Sequence, residues 1–141
     1  MTTRNTLKLK ELIFATLNDD LTLRTLLGGT GRVRHANPQQ LSEYPLVVYS
    51  FLIEMDEPYN TDQGSNIANT TIIVESFSAN ASSAEADSLD DRVYAFLQGQ
   101  ALSNTDIQVY SMYRVSRVPI YEPDVQVWKI ESTYSLVNAT T

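Results

Sequence analysis

The 141-residue sequence has no cysteine, so disulfides, thiolate nucleophiles, zinc ribbons and iron–sulfur ligation are excluded from its chemistry. Histidine is nearly as scarce. His35 is the only one, and it follows Arg34, whose charge disfavours a bound metal, so it is read as a surface or edge residue. A Ser-His-Asp triad would have to use His35 as its base, and no Gly-x-Ser-x-Gly elbow accompanies it. No apolar run is long enough to cross a bilayer. The stretch before Phe14 carries four charges and lacks the apolar core of a signal peptide, so the Asn-x-Ser/Thr triplets at Asn69, Asn80 and Asn138 are read as chance. Repeats, linkers and low-complexity tracts are lacking too, which predicts one domain over residues 1–141.

Basic residues are missing from the middle of the chain. The net charge is −7, and residues 36–109 hold one Arg against eleven Asp/Glu, whereas residues 1–35 hold six Lys/Arg against three Asp/Glu. A nucleic-acid binder supplies Lys and Arg to phosphates, so this acidic body excludes a specific grip on DNA or RNA, although acidic walls would let DNA slide past.

Three local patterns resemble sites and are read more simply. Gly28-Gly29-Thr30-Gly31-Arg32 follows a helical pattern instead of a strand and lacks the Lys-Ser/Thr of a phosphate loop, so it is a helix end. The segment around Asp56, Glu57, Asn60 and Asp62 has calcium-friendly oxygens, but the glutamate closing a twelve-residue calcium loop is missing. Asp87, Asp90 and Asp91 fall together on a helix and are read as a solvated face. No catalytic, metal or cofactor site is expected.

What is present is periodic. Leu9, Leu12, Ile13 and Leu17 mark one face of a helix over 7–17, and Asp20 offers an N-cap for a second short helix that Gly28-Gly29 ends. Residues 32–35 suit a short strand, and Leu46 to Ile53 form a continuous β-branched and aromatic run expected at the sheet centre. Residues 54–69 are polar and aperiodic, a flexible loop, before strand character returns over 70–77. Ala86, Leu89, Val93, Phe96 and Leu97 define a helix over 81–97, with Ser82 and Glu85 as a capping box and Gly99 as terminator. Strict alternation over 107–118 puts Ile107, Val109, Tyr113 and Val115 on one face and Tyr110, Arg114 and Ser116 on the other. Pro119 to Pro123 reads as a turn, and Val125 to Val137 as the last strand, with Val125 and Val127 opposite Trp128, Ile130, Tyr134 and Leu136. The result is an α+β fold: an antiparallel sheet of about four strands with its helices on one face.

Eight tyrosines and one tryptophan are many for this length, and several fall in the last third. Tyr and Trp are enriched in protein interfaces. Tyr110 fits an interface and simple exposure equally well.

The order of elements resembles the tail completion, or tail terminator, proteins of long-tailed bacteriophages. The resemblance rests on the N-terminal helix, Asp20-Leu21 through Leu26-Leu27-Gly28-Gly29, Arg32-Val33, Tyr44-Pro45-Leu46-Val47-Val48, the helix ending at Gly99 and the two closing strands. It implies a structural virion protein without enzymatic activity, which caps a finished tail tube as a ring, typically a hexamer, and presents a surface to the head connector or stopper. Its partners would be copies of itself, the tail-tube protein and the head-connector protein, with DNA passing through and no membrane. Its place would be the head–tail junction of the virion, after assembly in the host cytoplasm. On this resemblance Glu54, Asp56, Glu57 and Asp62 are expected to face the lumen or the tube, and Tyr110, Arg114, Val125 and Val127 to lie between subunits. A head-completion stopper and a tail-tube subunit share the pattern and remain alternatives.

Overall fold

The computed structural model describes residues 6–28, 32–35, 44–56, 67–103 and 107–140. Three helices, α1 (Thr6–Asn18), α2 (Leu21–Leu27) and α3 (Ala84–Leu97), and five strands, β1 (Val33–His35), β2 (Leu46–Asp56), β3 (Ile67–Ser78), β4 (Ile107–Glu122) and β5 (Val127–Thr140), follow the predicted order. The strands form one sheet in the order β1-β2-β3-β5-β4. Only β1 pairs in parallel; every other pair is antiparallel.

The helical layer is fixed by side-chain periodicity. Leu9, Leu12, Ile13 and Leu17 of α1, Leu23 and Leu27 of α2, and Leu89, Val93 and Leu97 of α3 are buried against Val47, Tyr49, Ile72, Val74, Tyr134 and Leu136 of the sheet. The Tyr49 hydroxyl donates to the carbonyl of Lys10, tying α1 to β2. At seven residues α2 is too short to hold itself. Asp20 caps it by accepting the Leu23 N–H at 3.0 Å, and Gly28 ends it at φ 81°, its N–H donating to Arg24 and Thr25 carbonyls. The same Asp20 carboxylate accepts two bonds from Arg92 of α3, at 2.8 and 3.0 Å, so one side chain starts α2 and clips it to α3.

The predicted capping box of α3 does not form. Ser83 stands at the N-cap without a side-chain cap bond, and Glu85 turns back to accept the Ser78 hydroxyl at 2.7 Å, closing the β3–α3 connection instead. Gly99 takes the left-handed conformation at φ 71°, as the sequence predicts.

The sheet departs from expectation in three ways. Its centre is β3, not β2, because β3 pairs along its whole length with both β2 and β5 while β2 is flanked by the three-residue β1. The residues 54–69 expected as a loop are partly strand: Glu54, Met55 and Asp56 pair with Thr70, Asn69 and Ala68, and 57–66 lie outside the described residues. The expected turn at Pro119–Pro123 is also strand, since β4 continues to Glu122, and the turn falls later, where Gln126 takes φ 57°. β4 is an edge strand, where a proline's missing N–H costs no ladder bond.

Only one sheet face carries helices. The other keeps a small cluster of its own, in which Leu46, Val48, Phe77 and Val127 are buried with Tyr44 packed against them.

Arg92, by hydrogen bonding first, holds the Asp20 carboxyl below its ordinary value of 3.8. A carboxyl lowered by folding contributes its stability above that ordinary value and loses it as pH falls through the folded value. Asp20→Ala should destabilise by at least about 1 kcal/mol from the lost cap alone, whereas Asp20→Asn, which still accepts the Leu23 N–H, should lose less. Urea titrations at pH 7 and below pH 4 check this, and the gap between wild type and Asp20→Asn should narrow at the lower pH.

Candidate functional site

The longest hairpin, β4–β5, carries most of the unusual surface. Three sheet irregularities each insert one extra residue: Tyr110 and Val115 in β4 and Leu52 in β2. All three project outward, 58%, 60% and 59% exposed. The Tyr110 bulge shifts the alternation of β4, so Met112, not Tyr113, joins Ile107 and Val109 in the core. Tyr113 and Val115 are therefore exposed, contrary to the predicted inward face. Tyr110, Tyr113, Val115 and Val118 are exposed along β4, Tyr113 and Val118 on the helix-free face opposite Ser135 and Glu131, whereas Tyr121, opposite Trp128, is exposed on the other face and Val125 in the turn.

What holds the hairpin in place is a buried carboxylate. Asp90 of α3 is 0% exposed. Its Oδ1 accepts the Ser132 hydroxyl at 2.6 Å, and its Oδ2 accepts Arg117 Nε at 2.8 Å and Arg114 Nη1 at 3.2 Å. Arg117 also donates to Asp87, and Arg114 lies over the Tyr94 ring with its guanidinium carbon 4.1 Å from the centroid. Regular alternation would send residues 114 and 117 to opposite faces; the Val115 bulge between them brings both to Asp90. Burial, then the charge of Asp90, pushes the Tyr134 hydroxyl ionisation upward.

The outer edge of β4 is guarded over its first half. Val109 N–H donates to the Leu102 carbonyl, Gly99 N–H donates to the Met112 carbonyl, and Arg114 N–H donates to Gln98 Oε1, each at 2.7 Å. From Val115 onward no described residue pairs with that edge, and Pro119 interrupts its donors, which discourages addition of a further strand.

Near the turn, Tyr121 and Trp128 pack with ring centroids 5.1 Å apart, lining a shallow cleft with Asn80, Ala81 and Gln126. On the helix-free face Lys129 sits 3.1 Å from Glu75, 3.3 Å from Glu122 and 3.7 Å from Glu131. Burial works against its charge, but Glu75 and Glu122 outweigh that and hold it above its ordinary pKa.

The four residues expected between subunits fall in different surroundings within the single chain. Arg114 is drawn inward to Asp90 because the Tyr110 bulge reverses its face, and Val127 is 1% exposed, closed over by Leu46, Val48 and Phe77. Tyr110 and Val125 are exposed. Of the acidic set, Glu54 and Asp56 end β2, and Glu57 and Asp62 lie outside the described residues. Asp90 is not solvated as expected, being buried against Arg114 and Arg117, while Asp87, although paired with Arg117, and Asp91 stay on the solvated face. The missed signal was spacing: Asp90 falls four residues after Ala86 and three before Val93, on the core face of α3. His35 lies at the sheet edge as expected, half-buried, with its ring 5.3 Å from Tyr49.

The fold is a two-layer α+β domain, with helices on one face of a mostly antiparallel sheet and a hairpin anchored to α3. The family described as "Tail completion protein gp17" matches residues 11–138, and the chain belongs to that family, a structural component of a phage-type tail or of its junction with the head. No curated protein sequence matches it. In fold it is similar to a chain of a solved structure described as "Virion of native gene transfer agent (GTA) particle", with 16% identity over 94% of this chain and 95% of that one and a TM-score of 0.74.

Asp90→Ala should cost about 3–5 kcal/mol, because it leaves two guanidinium groups beside a partly buried site with no carboxylate. Chemical unfolding followed by circular dichroism measures this; a loss under 1 kcal/mol would refute the anchoring role.

Proposed function

We propose that the protein closes as a ring on the end of a completed tail tube, stops its growth and offers the opposite surface to the head connector. The observation that supports this most is the family match over residues 11–138, and the virion source of the similar fold is consistent with it. The exposed apolar side chains of β4 supply a surface for neighbours, and an architecture built on one sheet with helices on one side needs no substrate pocket. The role is structural, the partners are further copies, the tail-tube protein and the head-connector protein, and the location is the head–tail junction of the virion, after assembly in host cytoplasm. The same surfaces suit a stopper or a tube subunit; only a terminator halts elongation.

Tail-tube protein polymerised with and without this protein distinguishes them by electron microscopy. Tubes should shorten to a defined length distribution and carry a disc at one end. Tubes that incorporate the protein along their length would overturn the reading in favour of a tube subunit.

Within this reading Glu54, Asp56, Glu57 and Asp62 keep passing DNA from sticking to the ring lumen or tube mouth. Replacing all four by lysine should leave ring formation intact and slow genome delivery. Unchanged infectivity of particles carrying the quadruple variant rules this out.

A further inference from the structure

The helical layer stops short of one end of the sheet. Ser78 pairs with Trp128 and Trp128 with Tyr121, so these three make the last row on the helical side. In the row before it Ser76 and Ile130 are fully buried. α3 begins only at Ala84, and at the last row the connection from β3 stands in for a helix: the Trp128 indole N–H donates to the Ala81 carbonyl at 3.4 Å. What remains open is a cleft of about 560 Å³ lined by Ala79, Asn80, Ala81, Tyr121, Gln126 and Trp128. That is inside the range of about 300–1,000 Å³ usual for small-molecule sites.

The chemistry of the cleft is selective. None of its lining residues is charged, and Glu122, next to Tyr121, is turned to Lys129 on the opposite face of the sheet, so neither an anion nor a cation finds a counter-charge. The Tyr121 and Trp128 rings, inclined at 53° to each other, supply apolar faces. Asn80 and Gln126 are exposed at the rim, and neither amide is tied to another described residue. Each amide carries both a donor and an acceptor. The walls are already set. The Asn80 N–H donates to the Ser78 hydroxyl at 3.1 Å, that hydroxyl donates to Glu85 at 2.7 Å, and Gln126 is held at φ 57°, a conformation a glycine would take at less cost.

We propose that this cleft binds a neutral sugar, with one pyranose ring lying on Trp128 and Tyr121 and its hydroxyls bonded by Asn80 and Gln126. A pyranose has C–H groups on its faces and hydroxyls around its edge, which matches aromatic faces bordered by amides, and one amide can donate to a hydroxyl while accepting from its neighbour. A proline-rich peptide, the other common ligand of aromatic clefts, fits less well, because the indole N–H that would bond its carbonyl is already held by Ala81. A shallow cleft covers only part of its ligand, so affinity is about millimolar. The inference stands apart from the ring reading and survives or fails without it.

Trp128 is the only tryptophan in the chain, so its fluorescence reports the site directly. Titration with the methyl pyranosides of glucose, galactose and mannose should give a saturable emission change for at least one of them. A trisaccharide of the preferred sugar that binds more tightly would identify a glycan chain as the source, and equal binding a free sugar. Asn80→Ala and Gln126→Gly change exposed side chains, the second at a backbone conformation glycine favours, so the double variant should fold as wild type does and bind about tenfold more weakly or worse. An emission that saturates with none of the three sugars overturns the proposal. So does saturation unchanged in the double variant, which would put the sugar elsewhere, or saturation by a proline hexapeptide where the sugars give none, which would make the cleft a peptide groove.

Discussion

The buried carboxylate of Asp90 sets conditions that the rest of the hairpin meets. A carboxylate removed from water loses several kcal/mol of hydration unless cations and hydrogen bonds replace it. Here Ser132, Arg114 and Arg117 do so, all from the β4–β5 hairpin, while the carboxylate itself belongs to α3. A regular strand cannot aim residues three apart at one point, so the bulge at Val115 follows from the need for both arginines. The residue that the bulge expels is apolar and faces outward, where it joins Tyr113 and Val118. The anchor and the exposed apolar side chains beside it are therefore two results of one irregularity.

A second division of labour follows from covering the sheet on one side. The helical face carries the main core, and polar clips, among them Asp20 to Arg92 and Asp90 to its arginines, fix helix positions. The other face closes itself at one end, through Tyr44, Leu46, Val48, Phe77 and Val127.

Local signals carried the helices and the class of fold. Asp20 as a cap, Gly28 and Gly99 as left-handed terminators and the apolar face of α1 are properties of neighbouring residues, and each stands where the sequence puts it. Strand parity was another matter. Whether Tyr113 or Met112 enters the core depends on how β4 is paired to β5, a long-range decision that alternation within β4 does not contain. Pro119 reads as a turn until its strand is known to be the edge, and β2 reads as the centre until β3 is seen to pair fully on both sides. Of the four residues expected between subunits, the exposure of Tyr110 and Val125 was legible, and the inward placement of the other two was not. The partners of Arg114 and Val127, Asp90 and the Phe77 cluster, lie 24 residues or more away in sequence.

The central claim is that these surfaces close on themselves instead of propagating. Light scattering across a wide concentration range tests it most directly, since a chain of 15.8 kDa in a six-membered ring has a mass of about 95 kDa. The account predicts a single species that stops growing at ring size, formed by the protein alone or on tail-tube ends. A mass that climbs without limit as concentration rises, or a monomer that stays a monomer even with tubes present, would contradict it.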